Sequence, residues 1–167
     1  MSQPHFEMNS LKTAVALAVL AVACGHPPDA TMREHFPKNQ PALRRIVAMA
    51  EEDSHLYRVA KDFTRHADPK APMNGPTGLT PQRWETYRKL FDEAEVPQGF
   101  VRVSNAPGRL LLIVTTVPGG MKGYAYCPTP PAELVASLDT WPRDRDPWQG
   151  FVQIEGPWYL FREVDTQ

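Results

Sequence analysis

Cysteine is scarce in this chain, with only Cys24 and Cys127 among 167 residues. That count argues against a disulfide-stapled scaffold and leaves stability to a packed apolar core. An excess of one charge is missing too. Eighteen Lys and Arg stand against 19 Asp and Glu, so no basic field exists to draw nucleic acid or an anionic bilayer surface. No apolar run approaches the ~20 residues that cross a bilayer. Residues 14–23, all Ala, Val or Leu, cover about half of that and argue against a permanent spanning helix. The chain also lacks GxSxG, SxxK, GxGxxG and a P-loop, the common signatures of nucleotide binding and serine hydrolysis.

Residues 11–24 (LKTAVALAVLAVAC) place a lysine before a short apolar run that ends in small residues, the build of a secretory signal. The end of the run, Ala21-Val22-Ala23-Cys24, resembles the lipobox of bacterial lipoproteins, although Ala21 stands where an aliphatic residue is commoner. In that family the signal is cut before the cysteine and the cysteine is acylated, so the resemblance implies lipidation of Cys24. With Gly25 next to it, similarity to enterobacterial sorting implies the outer membrane, facing the periplasm. Glu7 makes residues 1–7 an odd leader, and Met8 is an alternative start. An ordinary signal cut elsewhere, with Cys24 incidental, is the competing reading. Three segments are expected: 1–23 as signal peptide, 24–34 as lipidated cysteine and tether, and 35–167 as one globular domain. That length suits a single core.

Within the domain, Asn39 and Pro41 suggest a helix start, and Leu43, Ile46, Val47 and Ala50 continue at helical spacing to about Glu52. Residues 53–63 fit helix or strand, and a short strand is preferred. Residues 66–78 (HADPKAPMNGPTG) read as a loop. Thr80-Pro81 caps a second helix, with Trp84, Tyr87, Leu90, Phe91 and Ala94 on one face and a Glu85–Lys89 pair on the other. At that spacing an aromatic stripe is usually core and seldom a ligand box. Beyond Gly99 the period falls to two. Residues 100–103, 109–117 and 121–127 form a meander, residues 132–138 are one helical turn or an extended edge, and residues 151–164 form a hairpin around Gly156-Pro157. The fold class is α+β, an antiparallel sheet of about five strands with two helices packed on it.

The stretches LTPQRWETYRKLF (79–91), KGYAYC (122–127) and IEGPWYLF (154–161) resemble a group of small proteobacterial lipoproteins with no established activity. The resemblance implies a shared fold and envelope location and supplies no catalytic residue. Gly123 is expected to let a neighbouring aromatic lie over its strand, and Trp158 and Tyr159 to end a core strand.

The chemistry search is sparse. Cys127 could pair with a histidine as a nucleophile, but inside an aromatic strand it is more often a small buried hydrophobe. His26, His35, His55 and His66 lack HxxH or HxxxH spacing, so no metal site is expected. Gly119-Gly120 with Lys122 superficially suits a phosphate loop, yet it joins two strands and reads as a hairpin turn. Asp144 and Asp146 are of the type that binds calcium, but the interleaved Arg143 and Arg145 oppose a cation. No cofactor and no enzymatic activity are expected. Binding of another protein is favoured, with Trp141, Arg143, Arg145 and Trp148 as candidate contacts because Trp and Arg dominate interface energies. The competing reading has both Trp folding back over the end of the sheet. On this view the chain is held at the membrane by its N-terminal lipid and recognises a periplasmic protein, for instance as an immunity protein against a delivered toxin. A structural or assembly lipoprotein, and a hydrolase with an unrecognised site, are the alternatives.

If the lipobox reading holds, mass spectrometry of the mature protein finds an acylated peptide beginning at Cys24. Cys24→Ala should leave the exported, processed chain free of the membrane; a variant that stays bound refutes the anchor.

Overall fold

A computed structural model describes residues 25–68, 70, 78–117, 120–140 and 148–164. Two helices, α1 (Asp29–Glu52) and α2 (Pro81–Glu93), accompany seven strands: β1 (Leu56–Val59), β2 (Thr64–His66), β3 (Phe100–Arg102), β4 (Leu110–Val117), β5 (Gly120–Tyr126), β6 (Trp148–Glu155) and β7 (Trp158–Val164). They form one antiparallel sheet in the order β2-β1-β3-β4-β5-β7-β6. The α+β class and both helices agree with the sequence reading, while the strand count rises from about five to seven. β2, three residues long, is too short to show a period of two and takes His66 out of the expected loop.

Alternation along the strands divides the apolar residues between two faces. Leu110, Leu112, Tyr124, Trp158 and Leu160 point to the helices and build the larger core with Phe36, Leu43, Ile46, Leu90 and Phe91. The Phe36 ring sits 5.8 Å from Tyr124 and 5.7 Å from Trp158, fastening α1 to β5 and β7. On the opposite face Leu111, Ile113, Ala125, Cys127, Phe151, Tyr159 and Phe161 form a second cluster. Gly123 matches its expectation and adds a cause: a Cβ there would meet the Leu112 carbonyl at 2.0 Å and the Phe161 ring at 2.9 Å.

Helix α2 follows its sequence signals, with the Arg83 N–H donating to Thr80 Oγ1. Its surface pair differs, because Glu85 approaches Arg88 at 3.6 Å in place of Lys89. Helix α1 requires a larger correction. It starts at Asp29, ten residues before the expected cap at Asn39, and takes Pro37 and Pro41 into its interior. Both prolines are exposed, so the Arg33 and Pro37 carbonyls that lose their amide partners lie on the solvent side. Met32, Phe36, Asn39 and Leu43 meanwhile continue one buried face through the break. Burial outweighs the local proline signal, and the tether expected over 24–34 shrinks to Gly25–Pro28 within the described residues.

Partners distant in sequence close both ends of α1. Pro28 offers no side-chain cap; the Asp139 carboxylate accepts the Asp29 N–H instead, 3.1 Å from each oxygen. Lys122, 1% exposed, brings its Nζ within 2.7 Å of Asp29 Oδ1 and 2.8 Å of Asp139 Oδ1. Ser137 Oγ and the Leu138 N–H donate to Asp29 Oδ2. At the other end no basic residue lies in the last turn; Arg102 donates to the Ala50 carbonyl, and Arg83 adds a second donor to the Met49 carbonyl, which already accepts the Asp53 N–H. Residues 132–138 resolve as extended, since Val135 N–H donates to Phe151 O and Phe151 N–H to Glu133 O beside β6.

Lys122→Met strands two carboxylates and should cost about 3 kcal/mol in urea unfolding, the lower end for stripping a buried ion pair because Asp139 is half-exposed. A loss under about 1 kcal/mol would contradict the pairing described here. Burial alone would raise the Asp29 carboxyl, but Lys122 and the Leu138 N–H outweigh it and hold the group below its ordinary 3.8. Its contribution is therefore complete above that ordinary value and lost as pH falls through the lowered one.

Candidate functional site: the helix-free face of the sheet

Cys24, Trp141, Arg143, Arg145, Asp144 and Asp146 lie outside the described residues. Trp148 is described, and it is placed as in the competing reading, against the sheet. It opens β6, is 9% exposed and belongs to the helix-side core. Its indole covers Gly150, where a Cβ would meet the ring at 2.4 Å. A side chain committed in this way to covering the sheet offers little surface to a partner.

The face without helices carries the open concave surface. Residues of β1 and β3 at one side of the sheet and of β6 and β7 at the other line a single groove of about 390 Å³, so the sheet curls around it. Its floor is apolar, with Leu111 buried and Val101, Val103 and Met121 partly covered. Tyr57, Arg58 and Arg65 supply one wall, and Gln149 and Glu163 the other, joined by a 2.7 Å hydrogen bond from Gln149 Nε2. Asn105 also borders a second cleft of about 230 Å³, beside Pro107, Arg109, Pro128 and Thr129.

Register explains why the arginines meet. Arg58 is directly opposite Arg65 across β1 and β2, and opposite Val101 across β1 and β3, so all three share a face. Sequence reasoning missed this pair because β2 went unrecognised, and without β2 the two arginines have no reason to be adjacent.

Several other titratable groups are buried or engaged. Cys127 is 1% exposed, and burial pushes its thiol up to about 11 against the opposing pull of Arg109. Arg109 in turn lies over the Phe151 ring at 5.3 Å. Burial, then Arg162 and Lys122, lowers His26 to about 4. His35 Nδ1 and Lys38 Nζ meet Glu95, whose carboxyl falls to about 2 through Lys38, His35 and Asn39. The His55 and His66 rings stand 5.5 Å apart, and among the described residues no group of three His, Cys, Asp or Glu could hold a metal ion. Nor is any described helix long and apolar enough to cross a membrane. Lys122, which looked like part of a glycine turn, is instead the buried cation that fixes the start of α1.

With its thiol raised and buried, Cys127 should resist iodoacetamide at pH 8 in the folded protein and react on unfolding. Cys127→Ala should cost roughly 1 kcal/mol, as a small core truncation does, and leave binding intact. Loss of activity without loss of fold would instead mark a nucleophile. Set against known proteins, the chain matches no family model, no curated protein and no solved structure.

Proposed function

We propose that this chain is an envelope-anchored periplasmic lipoprotein, not an enzyme, that binds another protein through the helix-free concave face of its sheet. The groove walled by Arg58 and Arg65 carries the reading. It combines an apolar floor, an arginine wall without ion pairs among the described residues and a rigid strand scaffold, which together suit recognition. The lipobox-like end at Cys24 supports the anchor. Burial of Cys127 and the double ion pairing of Lys122 favour binding over catalysis, since neither group is free to attack a substrate. An immunity protein against a delivered toxin is the specific form preferred, on the analogy of size, tether and lack of catalytic groups; a structural or assembly lipoprotein of an envelope complex would use the same face.

The test replaces Tyr57, on the groove, or Gln82, exposed on α2, with a photocrosslinking amino acid in the native envelope. A discrete protein adduct should form from position 57 and not from position 82. Adducts only from 82 would place recognition on the helices and end this reading; the adduct's identity separates a toxin from an envelope component.

A further inference from the structure

The helix-free groove holds a like-charged pair that no ion pair among the described residues compensates. Arg58 and Arg65 are direct cross-strand partners, and like charges directly opposite destabilise an antiparallel pair. Burial first, and Arg65 second, hold the Arg58 guanidinium below its ordinary range, against smaller opposing effects of Tyr57 and Asp62. Arg58 lies over the Phe63 ring at 5.0 Å, yet its Nε is buried without a hydrogen-bond partner. Among the described residues neither arginine is within ion-pair distance of a carboxylate. Glu163, the carboxylate on the groove, is engaged by Gln149 across the floor. The nearby Arg102 is committed to the Leu56 and Ala50 carbonyls.

Two cross-strand arginines lining one groove, one with an unpartnered Nε, are suited to a planar oxyanion, which a guanidinium can grip in bidentate fashion. We propose that Arg58 and Arg65 receive an Asp or Glu side chain from an extended segment of a partner protein, whose apolar neighbours cover Val101, Val103, Leu111 and Met121. The proposal rests on the helix-free face being the docking face. A free phosphate or carboxylate would leave the apolar floor exposed. A phospholipid would bring two acyl chains, and an open groove of about 390 Å³ gives them no enclosed channel. A protein segment alternating acidic and apolar residues satisfies wall and floor together. β2 ends the sheet beside the arginines, so an extended segment has a strand to run along.

The test titrates the full chain in detergent micelles with a labelled peptide of alternating Asp and Val, its Asn–Val analogue, inorganic phosphate and phosphatidylglycerol vesicles. The Asp–Val peptide should bind at least tenfold more tightly than the Asn–Val peptide. Arg58→Gln with Arg65→Gln should make the two equal while holding or raising the urea midpoint, because a repulsion is removed. Should the double variant fail to fold, Arg65→Gln alone, at an exposed site, should narrow the difference at least threefold. Equal binding of both peptides by the unaltered chain, or displacement of Asp–Val by phosphate or vesicles at comparable concentration, overturns the proposal. If crosslinks from position 57 persist in a folded double variant, the docking face stands and the acidic ligand falls. If position 57 gives no adduct in any form of the chain, the docking face itself falls.

Discussion

A single buried cation, Lys122, organises the start of the molecule. Helix α1 opens on Pro28, which cannot cap it, and the amide of Asp29 is satisfied by a carboxylate 110 residues further on. Two carboxylates meeting at a buried helix end would repel each other, and Lys122 between them converts that repulsion into a three-membered ion cluster. The arrangement binds β5, α1 and residues 137–139 together, and Arg162 Nη1 adds the Leu138 carbonyl from β7. The wide helix-side core then has a defined edge, and Phe36 reaches Tyr124 and Trp158 because the helix that carries it is held at its first turn.

The two faces of the sheet meet different constraints. Toward the helices, charged groups at both ends of α1 have partners from distant elements, down to the Met49 and Ala50 carbonyls, which two arginines reach. Toward the open face the strands place Arg58 against Arg65, with no ion pair to either among the described residues. Local stability and local function commonly pull in opposite directions at such places.

Much of this architecture was legible in the sequence where one signal acted alone. Thr80-Pro81 and the Trp84-to-Ala94 stripe determine α2 without help, and the change to a period of two after Gly99 marks the meander and terminal hairpin. Legibility failed where tertiary burial overrode a local rule. Pro37 and Pro41 break a helix in isolation, yet the apolar face from Met32 to Leu43 carries α1 through them. β2 is three residues and takes its stability from pairing with β1. The groove was therefore unreadable, because its arginines become neighbours only through that strand. Lys122 was hidden by its setting after a glycine pair, since nothing local distinguishes a turn lysine from one whose partners lie at residues 29 and 139. The tryptophans drew attention to residues 141–149, but Trp148 is spent on the core.

Closure of α1 by residues so far along the chain also sets an order of events. A chain that has emerged only as far as Val117 contains neither the cation nor the second carboxylate that complete the first turn of the helix, and it lacks β5 and β7, against which Phe36 packs. Contacts of such sequence separation close late, since the entropy of a long loop must be overcome before they form. Under the proposed export reading the polypeptide crosses its membrane unfolded, and α1, the first described element, is the one that the C-terminal strands lock last.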